Sequence, residues 1–330
     1  MTKGLILLEP HAYELIYGED LRAEIARRVE LVAEVQTRDS IKARPELLAE
    51  AEVIFTGWGA PVMDAAFLAA APKLRAVCYG AGSIKYMTPD AFWNRGIAVT
   101  SAYAMNAVPV SEFTLATILL SLKRMWHYAV ETKRLGAYPK RVKPAGAYGS
   151  KVGLVSFGMI GRLVRERLRP FDLEVWVYDP FLSAEQAAEF NVRLASLDEV
   201  FGNCDVVSLH APWLKETEGM IRGSHFELMK PGSAFINTAR GAIVNEPEMT
   251  AVLERRPEIT ALLDVTWPEP PVAGSPLYTL PNVVLTPHIA GSQERECRRM
   301  GQLMIDEFDR WSKGEPMRWA ISRERAAILA

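Results

Sequence analysis

The sequence predicts an α/β protein of two domains, each built on a parallel sheet. Three observations carry that expectation. Short apolar runs alternate with helical patterns along most of the chain, as strands separated by crossover helices do. At 330 residues the chain exceeds the usual size of one hydrophobic core. Several apolar runs also end in a single polar residue of a type that does chemistry, and an open α/β sheet gathers ligands at the carboxyl ends of its strands.

Taken in order, the first run gives a buried strand over residues 5–8, in a segment too short for the core of a signal peptide. Helical periodicity follows over 21–32, then a strand at 53–56, a helix over 61–70 and a strand at 74–79. The turn Tyr79-Gly80-Ala81-Gly82-Ser83 follows that strand. Its N–H groups could form an anion-binding nest, or it could be an ordinary glycine turn. A strand at 97–100 leads through Ser101 and Tyr103 to Asn106, then into one long helical pattern ending near Leu135, and the first domain crossing is placed here. On that helix Leu115, Ile118, Leu119 and Leu122 are spaced for one buried face.

Next, the apolar run Lys151-Val-Gly-Leu-Val155 enters Ser156-Phe157-Gly158-Met159-Ile160-Gly161 and continues as a helical pattern to Leu168. A second run, residues 173–178, ends in Asp179, eighteen residues after Gly161. Strand, glycine turn, helix, strand and acid in that order describe a dinucleotide-binding unit, and the acid favours NAD over NADP. Ser156 stands where the fingerprint has its first glycine, so the tight turn must be made by a residue with a Cβ. Further on, three runs end in Asn237-Thr238-Ala239-Arg240-Gly241, in Asp264 with Glu269 shortly after, and in Thr286-Pro-His288. Together they supply an arginine, a carboxylate and a histidine, a set suited to protonating a carbonyl beside a carboxylate.

This ordered set of motifs resembles the D-isomer-specific 2-hydroxyacid dehydrogenase family over nearly the whole chain. The resemblance implies two Rossmann-like or flavodoxin-like domains. A discontinuous substrate-binding domain would take 1–101 and 291–330, the last long helix (to about 311) returning to it, and an NAD-binding domain would take 102–290. Arg240, Glu269 and His288 would be catalytic. Arg240 grips a 2-oxo acid, His288 is the acid or base, and Glu269 orients the imidazole. Glu269 also argues against formate as substrate, because formate dehydrogenases of the superfamily pair their histidine with glutamine. NAD would lie against Ser156, Phe157, Gly158, Met159 and Ile160, against Asp179 and Pro180, and against the turn His210, Ala211, Pro212 with Thr217, where a cis peptide before Pro212 is expected. Thr238, Ala239, Arg240, Asp264, His288 and Gly291 complete the cofactor set. Gly80, Ala81, Gly82 and Tyr103, with Arg240 and His288, would bind substrate. Ser83 to Lys85 departs from the common pattern by carrying a base, so the substrate preference does not transfer. Glyoxylate or hydroxypyruvate reduction and phosphoglycerate dehydrogenase-like activity are the candidates. The alternative is an NAD(H)-binding redox sensor or corepressor without turnover.

Composition agrees with an ordinary globular enzyme: 49% apolar, 24% charged, formal net charge −2. Nothing in that balance calls for a nucleic-acid or anionic-membrane partner. No apolar stretch is expected to approach the eighteen residues of a membrane span. Three widely spaced cysteines, Cys78, Cys204 and Cys297, suit a reducing cytoplasm and offer no metal site, with Cys78 and Cys204 expected in the core. His11 in a first loop, His127 and His225 read as ordinary residues, and His210 as structural or cofactor-lining. Trp58, Tyr79, Tyr103 and Trp267 could shape an acyl pocket or simply pack. Lys140, Arg141 and Lys143, among prolines and a glycine, read as a solvated loop. In that family the arm neighbouring the long helix makes a homodimer, and the resemblance implies one here.

Overall fold

A computed structural model describes residues 1–140 and 146–329. Arg141 and Lys143 of the expected basic loop lie outside them. The chain divides into two compact units, Met1–Asn106 with Ser292–Ala330, and Ala107–Gly291.

The first unit runs β1 (Thr2–Leu7), α1 (Pro10–Ile16), α2 (Gly18–Ala26), β2 (Val29–Leu31), α3 (Arg38–Ala43), β3 (Val53–Thr56), α4 (Ala65–Ala70), β4 (Ala76–Tyr79), α5 (Asp90–Asn94) and β5 (Ala98–Ser101). The strands form one parallel sheet in the order β2-β1-β3-β4-β5. Sequence and structure part company in three places here. The helix expected over 21–32 stops at Ala26, and Val29–Leu31 is an edge strand paired to β1. Leu21, Ile25 and Val29 follow one another at four-residue intervals, which reads as a helix although the last of them belongs to the sheet. His11 lies in α1 rather than in a loop. The segment before Ala65 is extended, with Asp64 capping α4 by accepting from Phe67 N–H.

Helix α6 (Tyr103–Leu122) begins in this unit and passes into the second. With twenty residues it is long and apolar enough by composition to cross a membrane, which corrects the expectation that no apolar stretch approaches that length. Half of its apolar window is buried, and Ile118 and Leu122 pack in the core of the second unit. The single helix expected to reach Leu135 is interrupted. Arg124 turns left-handed (φ 55°), and α7 (Met125–Leu135) begins afresh with none of its residues buried.

The second unit continues with β6 (Ser150–Val155), α8 (Met159–Leu168), β7 (Leu173–Tyr178), α9 (Ala184–Glu189), β8 (Arg193–Leu194), α10 (Leu197–Asn203), β9 (Val206–Leu209), α11 (Gly223–Leu228), β10 (Ala234–Asn237), α12 (Glu246–Arg255), β11 (Thr260–Leu263) and β12 (Val283–Leu285). Its sheet is parallel in the order β12-β11-β10-β9-β6-β7-β8. The order reverses between β6 and β9, the switch point at which such sheets bind dinucleotides. In the core on one face of the sheet Phe201 stacks on Phe235, which Phe226 meets edge to face, and Val152, Leu154, Val177 and Ile236 pack on the other.

After Gly291 the chain returns to the first unit as α13 (Cys297–Ser312) and α14 (Arg323–Ile328). Met300, Met304, Ile305 and Phe308 on α13 complete a core begun by Ile6, Leu8, Ile16 and Phe55. The buried Glu307 accepts from Thr100 Oγ1 (3.1 Å) and from the N–H groups of Arg318 and Trp319 (3.1 and 2.8 Å), which ties the returning segment to β5. All three cysteines are buried and unpaired.

Candidate active site

The site is laid out by strand register. Tyr178, Val155, Leu209, Asn237, Leu263 and Leu285 are partners in successive strand pairs, so they form one row across the sheet. The residues that follow them, Asp179, Ser156, His210, Thr238, Asp264 and Thr286, therefore leave the sheet along one edge. That is the carboxyl edge, where ligands of open α/β sheets bind.

At the switch point Ser156 adopts φ 77°, in the left-handed region that favours glycine. Phe157 N–H donates to Asp179 Oδ2 at 2.6 Å, and Asp179 Oδ1 accepts from Phe181 N–H at 2.8 Å. Gly158 caps α8, of which Met159 and Ile160 are the first residues. A Cβ on Gly161 would lie 2.5 Å from the Ser156 carbonyl oxygen, so the turn can close on the helix only with glycine there. A Cβ on Gly158 would meet nothing within 4 Å, which leaves the helix N-terminus open to a phosphate. Pro180 follows the half-buried Asp179 and is exposed.

Beyond β9, His210 is buried, and neither ring nitrogen has a hydrogen-bond partner in the protein. Burial pushes its pKa down to about 3, so the imidazole is neutral. Two buried polar atoms without protein partners suit a residue that lines a polar cofactor. Cis peptides precede Pro268 and Pro270, not Pro212, which corrects the position expected for a cis bond. Thr217 instead shapes the 210–217 turn: Thr217 Oγ1 donates to Pro212 O (2.6 Å) and accepts from Leu214 N–H (2.9 Å).

Asn237 organises the loop after β10. Asn237 Oδ1 accepts from Ala239 N–H (3.0 Å) and its Nδ2 donates to Arg240 O (3.1 Å). Thr238 Oγ1 lies 3.4 Å from Thr114 Oγ1 on α6. Arg240 is half-buried. Burial lowers its pKa, and the Glu269 carboxylate opposes that shift.

Asp264 is buried, its Oδ1 accepting from Thr286 Oγ1 (2.5 Å) and Ile289 N–H (2.9 Å) and its Oδ2 from Ala290 N–H (2.9 Å). It thus holds the loop that carries His288, which itself sits left-handed at φ 55° with its N–H donated to Asp264 O (2.9 Å). His288 Nδ1 is 2.7 Å from Glu269 Oε1, with both side chains about half exposed. Gly291 ends the unit.

Several residues that shape this edge were not legible as such in the sequence. A Cβ on Gly241 would come within 2.0 Å of the Thr266 carbonyl carbon, so the Arg240 loop and the segment before Glu269 touch backbone to backbone. The rings of Trp213 and Trp267 meet edge to face at 4.8 Å. Glu246 Oε2 accepts from Trp267 N–H at 3.2 Å, and burial raises the pKa of that carboxyl. None of these contacts joins neighbours in sequence, so no local pattern signals them. Among the described residues no group of three or more His, Cys, Asp or Glu could hold a metal.

In the first unit, Gly80 N–H donates to Thr56 O (2.7 Å) and so belongs to the sheet edge rather than to a nest. Ser101 Oγ donates to Ala81 O (2.9 Å) and Gly82 O (2.5 Å), which fixes that loop. Tyr103 packs edge to face on Trp319, and its hydroxyl accepts from Arg325. Tyr79 is buried, its hydroxyl 3.5 Å from that of Tyr86, whereas Trp58 is exposed.

Residues 115–290 match the profile of the D-isomer specific 2-hydroxyacid dehydrogenase NAD-binding domain. The chain belongs to that family. Relatives include the D-3-phosphoglycerate dehydrogenase of Archaeoglobus fulgidus, 30% identical over 89% of this chain and 53% of that protein. The (S)-sulfolactate dehydrogenase of Chromohalobacter salexigens is 36% identical over 75% of this chain and 81% of that one. The chain spans about half the length of the phosphoglycerate dehydrogenases it matches. Solved structures that share the fold include two at 22% identity. The NAD-complexed D-isomer specific 2-hydroxyacid dehydrogenase of Lactobacillus delbrueckii ssp. bulgaricus has TM-score 0.80 (97% of this chain, 100% of that one), and D-mandelate dehydrogenase of Rhodotorula graminis has 0.81 (98% of each). As in the family, the second unit carries an NAD-binding domain and the cofactor is NAD. The turn at Ser156, the open approach at Gly158 and the unpartnered nitrogens of His210 fit that cofactor.

Proposed function

We propose that this family member is an NAD-dependent dehydrogenase interconverting a 2-oxo acid and a D-2-hydroxy acid. The observation that carries the reading is the 2.7 Å Glu269–His288 pair on the same sheet edge as Arg240. NAD, when bound, supplies hydride exchange at the substrate carbon. The half-buried Arg240 presents the planar fork of its guanidinium to the carboxylate and carbonyl oxygens, orienting and polarising the carbonyl. Glu269 accepts a hydrogen bond from His288 Nδ1–H, and the imidazolium gives its Nε2 proton to the carbonyl oxygen during reduction, leaving a neutral ring that keeps Nδ1–H. In the oxidation direction Nε2 takes the hydroxyl proton back. Asp264 holds the His288 loop, and with Ser156, Gly158, Asp179, His210, Thr238 and Ala239 it is assigned to the cofactor side. Ala81 and Gly82 N–H groups, with Tyr103, are assigned to substrate binding, and the first unit to the substrate-binding role.

Phosphoglycerate-like, sulfolactate-like and short 2-oxo acids are the substrates to compare. Helix α7, with Val130 and Leu135 exposed on it, supports a homodimer, and we place the enzyme in the cytoplasm. The test is NADH oxidation with a panel of 2-oxo acids, comparing the wild type with His288→Gln. Turnover that falls by ~100-fold or more in the variant is expected. NADH binding with no acid reduced would overturn the dehydrogenase reading in favour of an NAD(H) sensor.

A further inference from the structure

Glu246 takes no part in the chemistry above, yet its side chain reaches the segment that carries Glu269. It is the first residue of α12, just after the Arg240 loop. Its neighbours on that turn are committed locally. Asn245 Oδ1 accepts from Glu248 N–H (3.2 Å), and Glu248 accepts from Asn245 Nδ2 and from Gly223 N–H, both at 2.9 Å. Glu246 alone turns towards the next loop and accepts the Trp267 N–H.

That loop is held at three other points. Thr266 Oγ1 donates to Pro268 O at 2.8 Å, the Trp267 ring meets Trp213, and the Thr266 main chain abuts Gly241. Glu269 lies two residues beyond Trp267, and 41% of its side chain is exposed. Water competes for a carboxylate so exposed, so its contact with His288 depends on how firmly its backbone is placed.

We propose that Glu246 is a positioning residue: by accepting the Trp267 N–H it fixes the backbone that delivers Glu269 Oε1 to His288 Nδ1. Helix α12, the Arg240 loop and the Glu269 segment then hold their places as one body. The kinetic part of this inference rests on the dehydrogenase reading, whereas the geometric part does not.

The test uses the full chain labelled with ¹⁵N-histidine. The hydrogen-bonded Nδ1–H proton of His288 is identified by its loss in His288→Gln, among only five histidines. Glu246→Ala is expected to lose that resonance or move it upfield. It should also lower kcat about tenfold or more, as a misplaced catalytic group does, with KM for NADH little changed. Glu246→Gln, whose amide oxygen still accepts the N–H, restores both. Should Glu246→Ala fail to fold, Glu246→Asp keeps the charge at the helix start but shortens the reach, and the same loss is expected. A Glu246→Ala protein with the wild-type resonance and kcat, even at a lower Tm, overturns the proposal. A wild type that reduces no 2-oxo acid, with the resonance still lost in Glu246→Ala, overturns the dehydrogenase reading and leaves the positioning role standing.

Discussion

Ser156 occupies a backbone conformation that costs a residue with a Cβ roughly 1–2 kcal/mol. Its hydroxyl recovers little, lying 3.4 Å from Asp179 Oδ2. Ser156→Gly is therefore expected to raise stability by up to ~1 kcal/mol, after the extra unfolded-state freedom of glycine is subtracted. It should also tighten NADH binding, and calorimetric titration with a thermal melt checks both. Ser156→Val should do the reverse, since a β-branched residue tolerates that conformation least. His288 is likewise left-handed, a strain that Asp264 sustains by holding the residues around it. Single residues of this kind divide sharply in how well a sequence reports them. Arg240, Glu269 and His288 were legible because each is a chemically marked residue at or just beyond the end of an apolar run. Glu246 and Asn237 were not, because an acid at a helix start or an amide at a strand end has a bland reading that only a distant partner can displace.

The strands of the second unit bring Asp179, Ser156, His210, Thr238, Asp264 and Thr286 to one edge because their pairing is in step. Alternating strands and helices predicted that edge. The contacts between the loops that leave it could not be predicted, and Gly241 is the clearest case. Gly241→Ala would drive a methyl into the Thr266 main chain, so a loss of roughly 1–3 kcal/mol is expected. Activity should suffer more than stability, because the same contact separates Arg240 from Glu269. A melt alongside steady-state kinetics would show this, and wild-type kcat in a destabilised protein would contradict it. Two helices were misjudged for physical reasons visible in the structure. Between α6 and α7 the sequence Ser121-Leu-Lys-Arg124-Met has neither Gly nor Pro to announce a break. At the break the Arg124 side chain makes a tertiary contact instead, its Nη2 donating to Glu258 O at 3.3 Å. In the first unit, apolar spacing extended α2 through what is the edge strand β2.

For the protein as a body, pH acts through His210. Its pKa is lowered from 6.5 to about 3 by burial. Above 6.5 neither state is protonated there, and the group leaves stability unchanged. As pH falls from 6.5 towards 3 the unfolded chain takes up a proton that the folded one refuses, so stability is lost over that window, by on the order of a few kcal/mol. Urea melts of the cofactor-free protein at pH 7 and pH 4 should show a smaller difference for His210→Asn than for the wild type, and an equal difference would contradict the assignment. The family, the parallel architecture and the NAD-binding unit were legible from the order of motifs. The core that α13 completes was less so, since it joins residues near the two ends of the chain. That discontinuity bears on biosynthesis. Translation makes every strand of both sheets before it reaches Met300, Met304 or Phe308. The residues of the NAD-binding unit are therefore all made before α13, whereas the other unit must wait, its apolar face uncovered, for α13 to follow.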